Sequence, residues 1–430
     1  MRIKILKILL LLILITPATP KILVAEDVTL YLVEIVLILL IPYFIYIYDK
    51  ILKYKVSMFL FLMWLIILIS TILSQVAYPN IADLARVFKG LLYIPIIYIG
   101  YKHLNLRYMK FQVYVGIAAM ILSLIVMIVN IRIYGFNIWD VKTINSGLSN
   151  RFLDLGNLEI GTIPSGAHGI WGNYCILILV ISLFLYRFKI VSEKLLITVA
   201  GLVLINIGVS VSRESFLVLT CVMLIVFIIL SYRLVMYYRI SKLAIKLFAL
   251  AICSTFVILL YLSEYIPIVN KITYTIESIG KSGSESNIQL RINAWIALLK
   301  SFSKYPHEIL IGYGFNSDNY SYKLNHLRFI NNFDFVALPE SFFVTALGYG
   351  GIFALFFSIL FFVQIFKITL GIDDWKSKYL FFAFFLGVLI VNIFSGASII
   401  SDLFYGQILL VIGFIIKFNG NTRAQNSSNN

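Results

Sequence analysis

Charge is scarce in this sequence, and so are cysteine, histidine and proline. Only 13% of its 430 residues are Asp, Glu, Lys or Arg, whereas 61% are hydrophobic. A soluble domain has nowhere to put so much apolar side chain, because the share that one core buries levels off as a chain grows. The three cysteines, Cys175, Cys221 and Cys253, stand apart in apolar stretches, with no CxxC and no Cys/His cluster. That spacing excludes a disulfide framework and a structural zinc site, and leaves buried, inert thiols. The net charge of +15 would suit nucleic acid if it were gathered on one face, but it is not. Basic residues recur in short clusters between apolar runs, such as Lys50, Lys53 and Lys55 or Arg233, Arg239, Lys242 and Lys246. That is the pattern of cytoplasmic loops, and it excludes nucleic acid as a partner. No internal repeat is visible, and the long polar segment does not split the apolar runs into equal halves, which tells against the two-fold transporter architectures.

What the sequence has is apolar runs long enough to cross a bilayer, at residues 4–20, 28–48, 56–77, 82–100, 111–134, 168–186, 193–211, 214–232, 244–263, 339–366, 379–397 and 400–417. They predict an all-α polytopic membrane protein of about twelve transmembrane helices. One large external loop lies between the ninth and tenth spans. The chain thus divides into nine spans in residues 1–263, the loop in 264–338, three spans in 339–417 and a polar tail in 418–430 read as disordered. Arg2, Lys4 and Lys7 ahead of the first run also fit a signal peptide. Pro17 and Pro20 follow without a clear small-x-small cleavage site, so the run is read as an uncleaved helix. Orientation follows from the cations. With the N-terminus cytoplasmic, inner segments hold twenty-one Lys and Arg and outer ones fourteen, seven of these in the long loop where the bias rule is weak. Both termini are therefore expected in the cytoplasm.

Two outer segments draw attention to chemistry. Residues 135–167 read as a Gly/Asn-rich loop. In the large loop, Ile288, Ile292, Trp295, Ile296, Leu299 and Phe302 fall on one helical stripe, edged by Arg291 and Lys300. Such a helix would lie flat at the membrane–water interface with its cations at headgroup depth, where a lipid phosphate sits. GYGFN, with Gly312 and Gly314 after Tyr305 and Pro306, reads as a tight bend returning the loop to the membrane.

Several ionisable residues fall near the outer ends of spans. Arg213, in VSVSRESF, is either a snorkelling cation paired with Glu214, with Ser212 as a helix cap, or part of a site. Arg86 and Lys89 are three residues apart and share a face from which they could pair with Asp83 or bind a ligand. Pro339 and Glu340 open the tenth span, where proline and an acid suit a first turn. Glu340 could also take a proton from a sugar hydroxyl. His168, His307 and His326 are also on the outer side, and Glu34 is the main acid placed within the membrane. The 34 Phe and 27 Tyr read as lipid-facing packing and interfacial belts.

Taken in order, SVSRESF before a span, the loop run from Arg291 and Trp295 through a proline to GYGFN, and a closing helix with TALGYGGI resemble the bacterial O-antigen polymerase and ligase superfamily. The likeness spans most of residues 56–417 through short, degenerate motifs. It implies a membrane glycosyltransferase of the inner (plasma) membrane that polymerises undecaprenyl-pyrophosphate-linked oligosaccharide repeat units into O-antigen, capsule or a similar polysaccharide. It further implies that Arg213, Arg291 and Arg86 face the donor pyrophosphate, that no cofactor or metal is needed, and that a chain-length regulator and a flippase work in the same pathway. The ligase branch typically opens the helix after the large loop with a His-Asn pair. Glu340 and Ser341 stand there instead, which favours the polymerase and leaves the general base open, with Glu340 and the outer histidines His168 and His307 as candidates. The sister reading is a ligase moving finished polymer to lipid A core; a rival from another class is a flippase or transporter for the lipid-linked unit.

Overall fold

The computed structural model describes residues 2–19, 21–25, 28–76, 79, 81–134, 151–154, 158–163, 168–210, 213–238, 287–315, 341–394 and 402–428. The ninth predicted span, 244–263, and much of the large loop lie outside the described residues. Helix α1 (Arg2–Ile15) leads into two short strands, β1 (Lys21–Ala25) and β2 (Val28–Tyr31). The segment expected as one span over 28–48 is instead β2 followed by three short helices, α2 (Leu32–Leu39), α3 (Ile41–Tyr46) and α4 (Tyr48–Leu52). Pro42 in the first turn of α3 supplies the reason at Leu40: a proline has no N–H to continue the ladder of the helix before it.

α5 (Lys55–Ser74) is a full-length span. The fourth predicted span is broken at Ile94 into α6 (Ile81–Tyr93) and α7 (Pro95–His103), again because Pro95 begins a helix rather than continuing one. After α8 (Leu106–Tyr134), the segment read as a Gly/Asn-rich loop contributes β3 (Arg151–Asp154) and β4 (Leu158–Ile163). The four strands form one antiparallel sheet in the order β2-β1-β4-β3, with Lys21 opposite Glu159. This small sheet departs from an otherwise helical frame, and it joins the sequence-distant segments around residues 21–31 and 151–163.

The remaining helices are α9 (His168–Arg187), α10 (Glu193–Ser210), α11 (Arg213–Tyr238), α12 (Asn287–Lys304), α13 (Glu308–Ile311), α14 (Phe342–Leu370), α15 (Trp375–Phe394) and α16 (Asp402–Ser428). The last corrects the expected disordered tail: α16 runs on past Lys417 through Ser428. Extending an established helix adds one bond per residue fixed, and the Asn419 amide also donates to the Ile368 carbonyl.

Among the described residues, five helices are long and apolar enough to cross a membrane: α5, Leu106–Val126 of α8, Ile170–Arg187 of α9, α14, and Trp375–Ile393 of α15. Shorter apolar stretches occur at Ile5–Ala18, Glu214–Ile229 and Tyr405–Asn419. Large apolar side chains are exposed along them, including Ile69 and Leu73 of α5, Leu224 and Ile228 of α11, and Phe353 and Phe356 of α14. This is the make-up of a helical membrane protein, with its outward faces suited to lipid. Inside, small residues bring backbones together: a Cβ on Gly413 would lie 2.1 Å from the Ile97 carbonyl oxygen, so α16 and α7 touch main chain to main chain.

Contacts sort the polar residues onto two ends of this bundle. At the basic end, Lys7, Lys102 and Lys417 surround His103, and the Arg187 side chain forks onto Asp374. At the loop end lie Glu34, Asp83, Lys89 and the segment Gly312–Phe315. Segments that the sequence assigns to the same side of a membrane meet each other here.

Candidate functional site

The loop end is built on α6. Asp83, Arg86, Lys89 and Tyr93 recur at three- and four-residue intervals and so share one face of that helix. The Asp83 carboxylate is fully buried and accepts from Arg86 Nη1 at 3.1 Å, while 48% of the Arg86 side chain stays exposed. Lys89 does not join this pair. Its Nζ lies 3.0 Å from Glu34 Oε1, which also accepts from the Tyr93 hydroxyl at 2.8 Å. Glu34 Oε2 takes the Tyr31 backbone N–H at 2.8 Å, so the same carboxylate closes the first turn of α2. A buried carboxylate is tolerable only with such partners, and Glu34 has them on both oxygens.

Beneath the charges lies an aromatic floor. The Trp64 indole occupies the space where a Cβ on Gly90 would be, 2.4 Å away at its nearest atom. Trp64 Nε1 donates to the Tyr405 hydroxyl at 2.9 Å, and that hydroxyl donates to the Gly90 carbonyl at 3.4 Å. The Tyr93 and Tyr405 rings are 5.4 Å apart.

The loop enters this site by a backbone clasp. α14 is kinked at Gly351, whose φ of 65° and ψ of −163° are not helical. The kink lets the Gly348 and Tyr349 carbonyls accept bonds from outside the helix. They take the backbone N–H groups of Tyr313, at 2.7 Å, and Gly314, at 3.0 Å. Gly312 and Gly314 have φ values of 73° and 78°, a conformation open to residues without a Cβ. There is no room for one either: a Cβ on Gly312 would sit 2.6 Å from Gly350 N, and one on Gly351 2.3 Å from the Leu310 carbonyl. Next along, the Phe315 N–H donates to Thr71 Oγ1 of α5 at 2.7 Å, and the Phe315 ring packs 4.6 Å from that of Tyr349. Asp83 and Arg86 lie close enough to act on the Tyr349 phenol, so the clasp and the α6 charges are neighbours.

The clasp also carries α12. The Tyr313 hydroxyl donates to Ser301 Oγ at 2.6 Å, and its ring stacks on Phe302 at 5.3 Å. Burial pushes the Tyr313 phenol up, although its bond to Ser301 works the other way. α12 is helical over Asn287–Lys304, where the sequence pattern placed a helix, but it divides the expected stripe. Ala294, Ala297, Leu298, Ser301 and Phe302 are packed inward, whereas Ile292, Ile296 and Leu299 remain exposed as an apolar strip.

A second polar patch lies at the start of α9. Trp171 Nε1 donates to Asn206 Oδ1 at 3.1 Å, and a Cβ on Gly172 would collide with the Ser215 side chain. That close approach sets the first turn of α11, which Arg213 opens, against the first turn of α9, which His168 opens. Asn173 is fully buried, yet neither amide atom has a hydrogen-bond partner among the described residues. Such a group is uncommon in an interior.

The predicted site residues fare unequally. Arg86 pairs with Asp83 as its spacing suggested, but Lys89 belongs to Glu34. Arg213 stands at the start of α11 and Arg291 in the second turn of α12, about 15 Å along its helix from Ser301. Glu340, Pro339 and His326 lie outside the described residues. α14 begins at Phe342 with Ser341 as its cap, Ser341 Oγ accepting from Val344 N, rather than at Pro339. His307 is exposed beside Glu308. Cys175 and Cys221 are free thiols and Cys253 lies outside the described residues. Sequence reasoning missed the Glu34–Lys89–Tyr93 cluster, although a lone acid in YLVEIVL and a lysine inside the fourth apolar run were its visible signals. Set against known proteins, the sequence matches no family model and no curated protein.

Proposed function

We propose that this protein is a membrane glycosyltransferase that polymerises undecaprenyl-pyrophosphate-linked oligosaccharide repeat units on the outer face of the cytoplasmic membrane. The observation that carries the reading is the clasp, which ties the loop helix α12 to the bundle beside the half-exposed guanidinium of Arg86. A polymerase of lipid-linked glycans needs such an arrangement: a polar site held against the membrane, with cations at headgroup depth and apolar side chains for the polyprenyl tail.

In the proposed step, a hydroxyl of one lipid-linked unit attacks the anomeric carbon of another glycan. A new C–O bond forms, the bond from that carbon to pyrophosphate breaks, and undecaprenyl pyrophosphate leaves with the electron pair. Glu340 takes the hydroxyl proton. Arg213, Arg291 and Arg86 bind the pyrophosphate, because planar guanidinium forks match phosphate oxygens and stay charged. Stabilising the charge that builds on a leaving group is worth about 3–4 kcal/mol per well-aimed donor.

The test is the surface polysaccharide of a strain lacking the gene, complemented with wild type, Arg213→Ala or Arg291→Ala and resolved by gel electrophoresis. The proposal expects single repeat units in the deletion and in both variants at unchanged protein level, and a ladder with wild type. Finished polymer accumulating on its lipid carrier would make the protein a ligase. An unchanged profile would remove it from polymer assembly altogether.

A further inference from the structure

At the basic end, far from the clasp, a groove of about 680 Å³ opens between the end of α9, the start of α10, α11 and the start of α15. Its wall is apolar, formed by side chains such as Leu196, Val226, Ile229 and Leu380. Among the described residues that line it, the charges are Arg187, Lys189 and Lys376 against one acid, Glu193. Asp374 engages Nε and Nη2 of Arg187, and Lys376 Nζ lies 5.3 Å over the Trp375 ring. At the groove Tyr186 of α9 is exposed, as are Ile197 of α10 and Ile228 of α11 nearby, an apolar and aromatic surface suited to lipid.

Lys189 is the informative residue. Ile190 N–H bonds the Leu185 carbonyl at 3.0 Å and Lys189 N–H bonds the Tyr186 carbonyl at 2.9 Å, the pair of bonds that ends a helix through a left-handed residue. That residue is usually glycine. Here it is Lys189, at φ 58°, the non-glycine residue with positive φ among those described. A side chain costs about 1–2 kcal/mol in this conformation. Arg187 already complements the helix C-terminus, so the strained lysine answers another need.

We propose that this groove is a binding site for an anionic phospholipid, its phosphate held by Lys189 and Lys376 and its acyl chains lying along Leu196, Val226, Ile229 and Leu380. A cationic rim over an apolar wall matches a phosphodiester attached to hydrocarbon, and basic pockets between spanning helices bind such headgroups. The volume falls within the range of small-molecule sites.

The experiment is native mass spectrometry of the purified full chain, mixed with phosphatidylglycerol or phosphatidylcholine of matched acyl chains. Wild type should retain phosphatidylglycerol in preference. Lys189→Gly should reduce that preference about five-fold (about 1 kcal/mol per basic residue) while raising the melting temperature in lipid-free detergent, because glycine relieves the strained turn. Lys189→Gly with Lys376→Gln should remove the preference, and Lys53→Gln, an exposed lysine elsewhere, should leave it intact. Equal retention of both lipids by wild type, or a preference that survives in the double variant, would overturn the proposal. Because Lys189→Gly favours the native turn, loss of lipid there cannot be assigned to misfolding.

Discussion

The two ends of the bundle handle charge in opposite ways. At the loop end, Asp83 and Glu34 are buried, and among the described residues each pairs with a cation of α6. At the basic end, the Arg187–Asp374 fork joins the last residue of α9 to the segment before α15 at partly exposed positions, and Lys189 and Lys376 beside it are at least partly exposed. The difference is one of consequence. An exposed pair contributes little and can be lost cheaply, whereas breaking a buried pair strands a charge in an apolar setting. The loop end therefore depends on each partner in a way the basic end does not.

The sharpest test of that contrast is Lys89→Met. It should cost about 3–5 kcal/mol, as removing one partner of a buried ion pair does. Adding Glu34→Gln should recover most of the loss, and denaturation of the purified protein in detergent reads both. A single variant no worse than an exposed-pair variant would erase the distinction between the ends. Next in size is Gly351→Ala, which forces a Cβ to within 2.3 Å of the Leu310 backbone at a φ of 65°. Strain of about 1–3 kcal/mol in this essentially glycine-only conformation adds to overpacking of about 1–3 kcal/mol. Under the proposed polymerase activity the variant should lose polymer length along with stability, and normal polymer from it would separate the clasp from that activity.

Arg187→Gln should cost less than about 1 kcal/mol. Burial works to raise the Asp374 pKa, but the bonds from Arg187 and Ser377 outweigh it and hold the carboxyl below its ordinary value. A depressed carboxyl stabilises the fold above the ordinary carboxylate range, near pH 4, and that contribution is lost as pH falls through the folded-state value. In Arg187→Gln the acid side of the stability profile should flatten. The smallest effect is expected at His103, whose pKa is lowered by burial and then by Lys7, Lys102 and Lys417. The unfolded chain protonates first, so stability should fall as pH drops below about 6.5. His103→Gln should abolish that slope, and a slope that persists would locate the titration elsewhere.

Much of the frame was legible because hydrophobic run length reports directly on spanning helices: α5, α9, α14 and α15 sit close to where their runs predict. Pro42 and Pro95 broke two runs that hydropathy alone reads as continuous, since a proline removes one donor without lowering the apolar average. The sheet escaped notice because β1 and β4 pair across more than a hundred residues, and four to six residues per strand carry little periodicity. At the candidate site, the Asp83–Arg86 pair was readable since it obeys helical spacing. The Glu34–Lys89 pair and the clasp were not, because each joins segments whose proximity only the packing of other helices decides.

The clasp has a consequence for how the chain is assembled in its membrane. Gly312–Phe315 rests against the end of α5, which is synthesised early, but the carbonyls that grip it belong to α14, which is synthesised after the loop. The loop segment must therefore wait, already delivered to its side, until a later helix inserts next to an earlier one and shuts on it. Insertion order is thereby written into the site. A ribosome halted before residue 341 would leave α5 and the segment Gly312–Phe315 without the helix that closes over them.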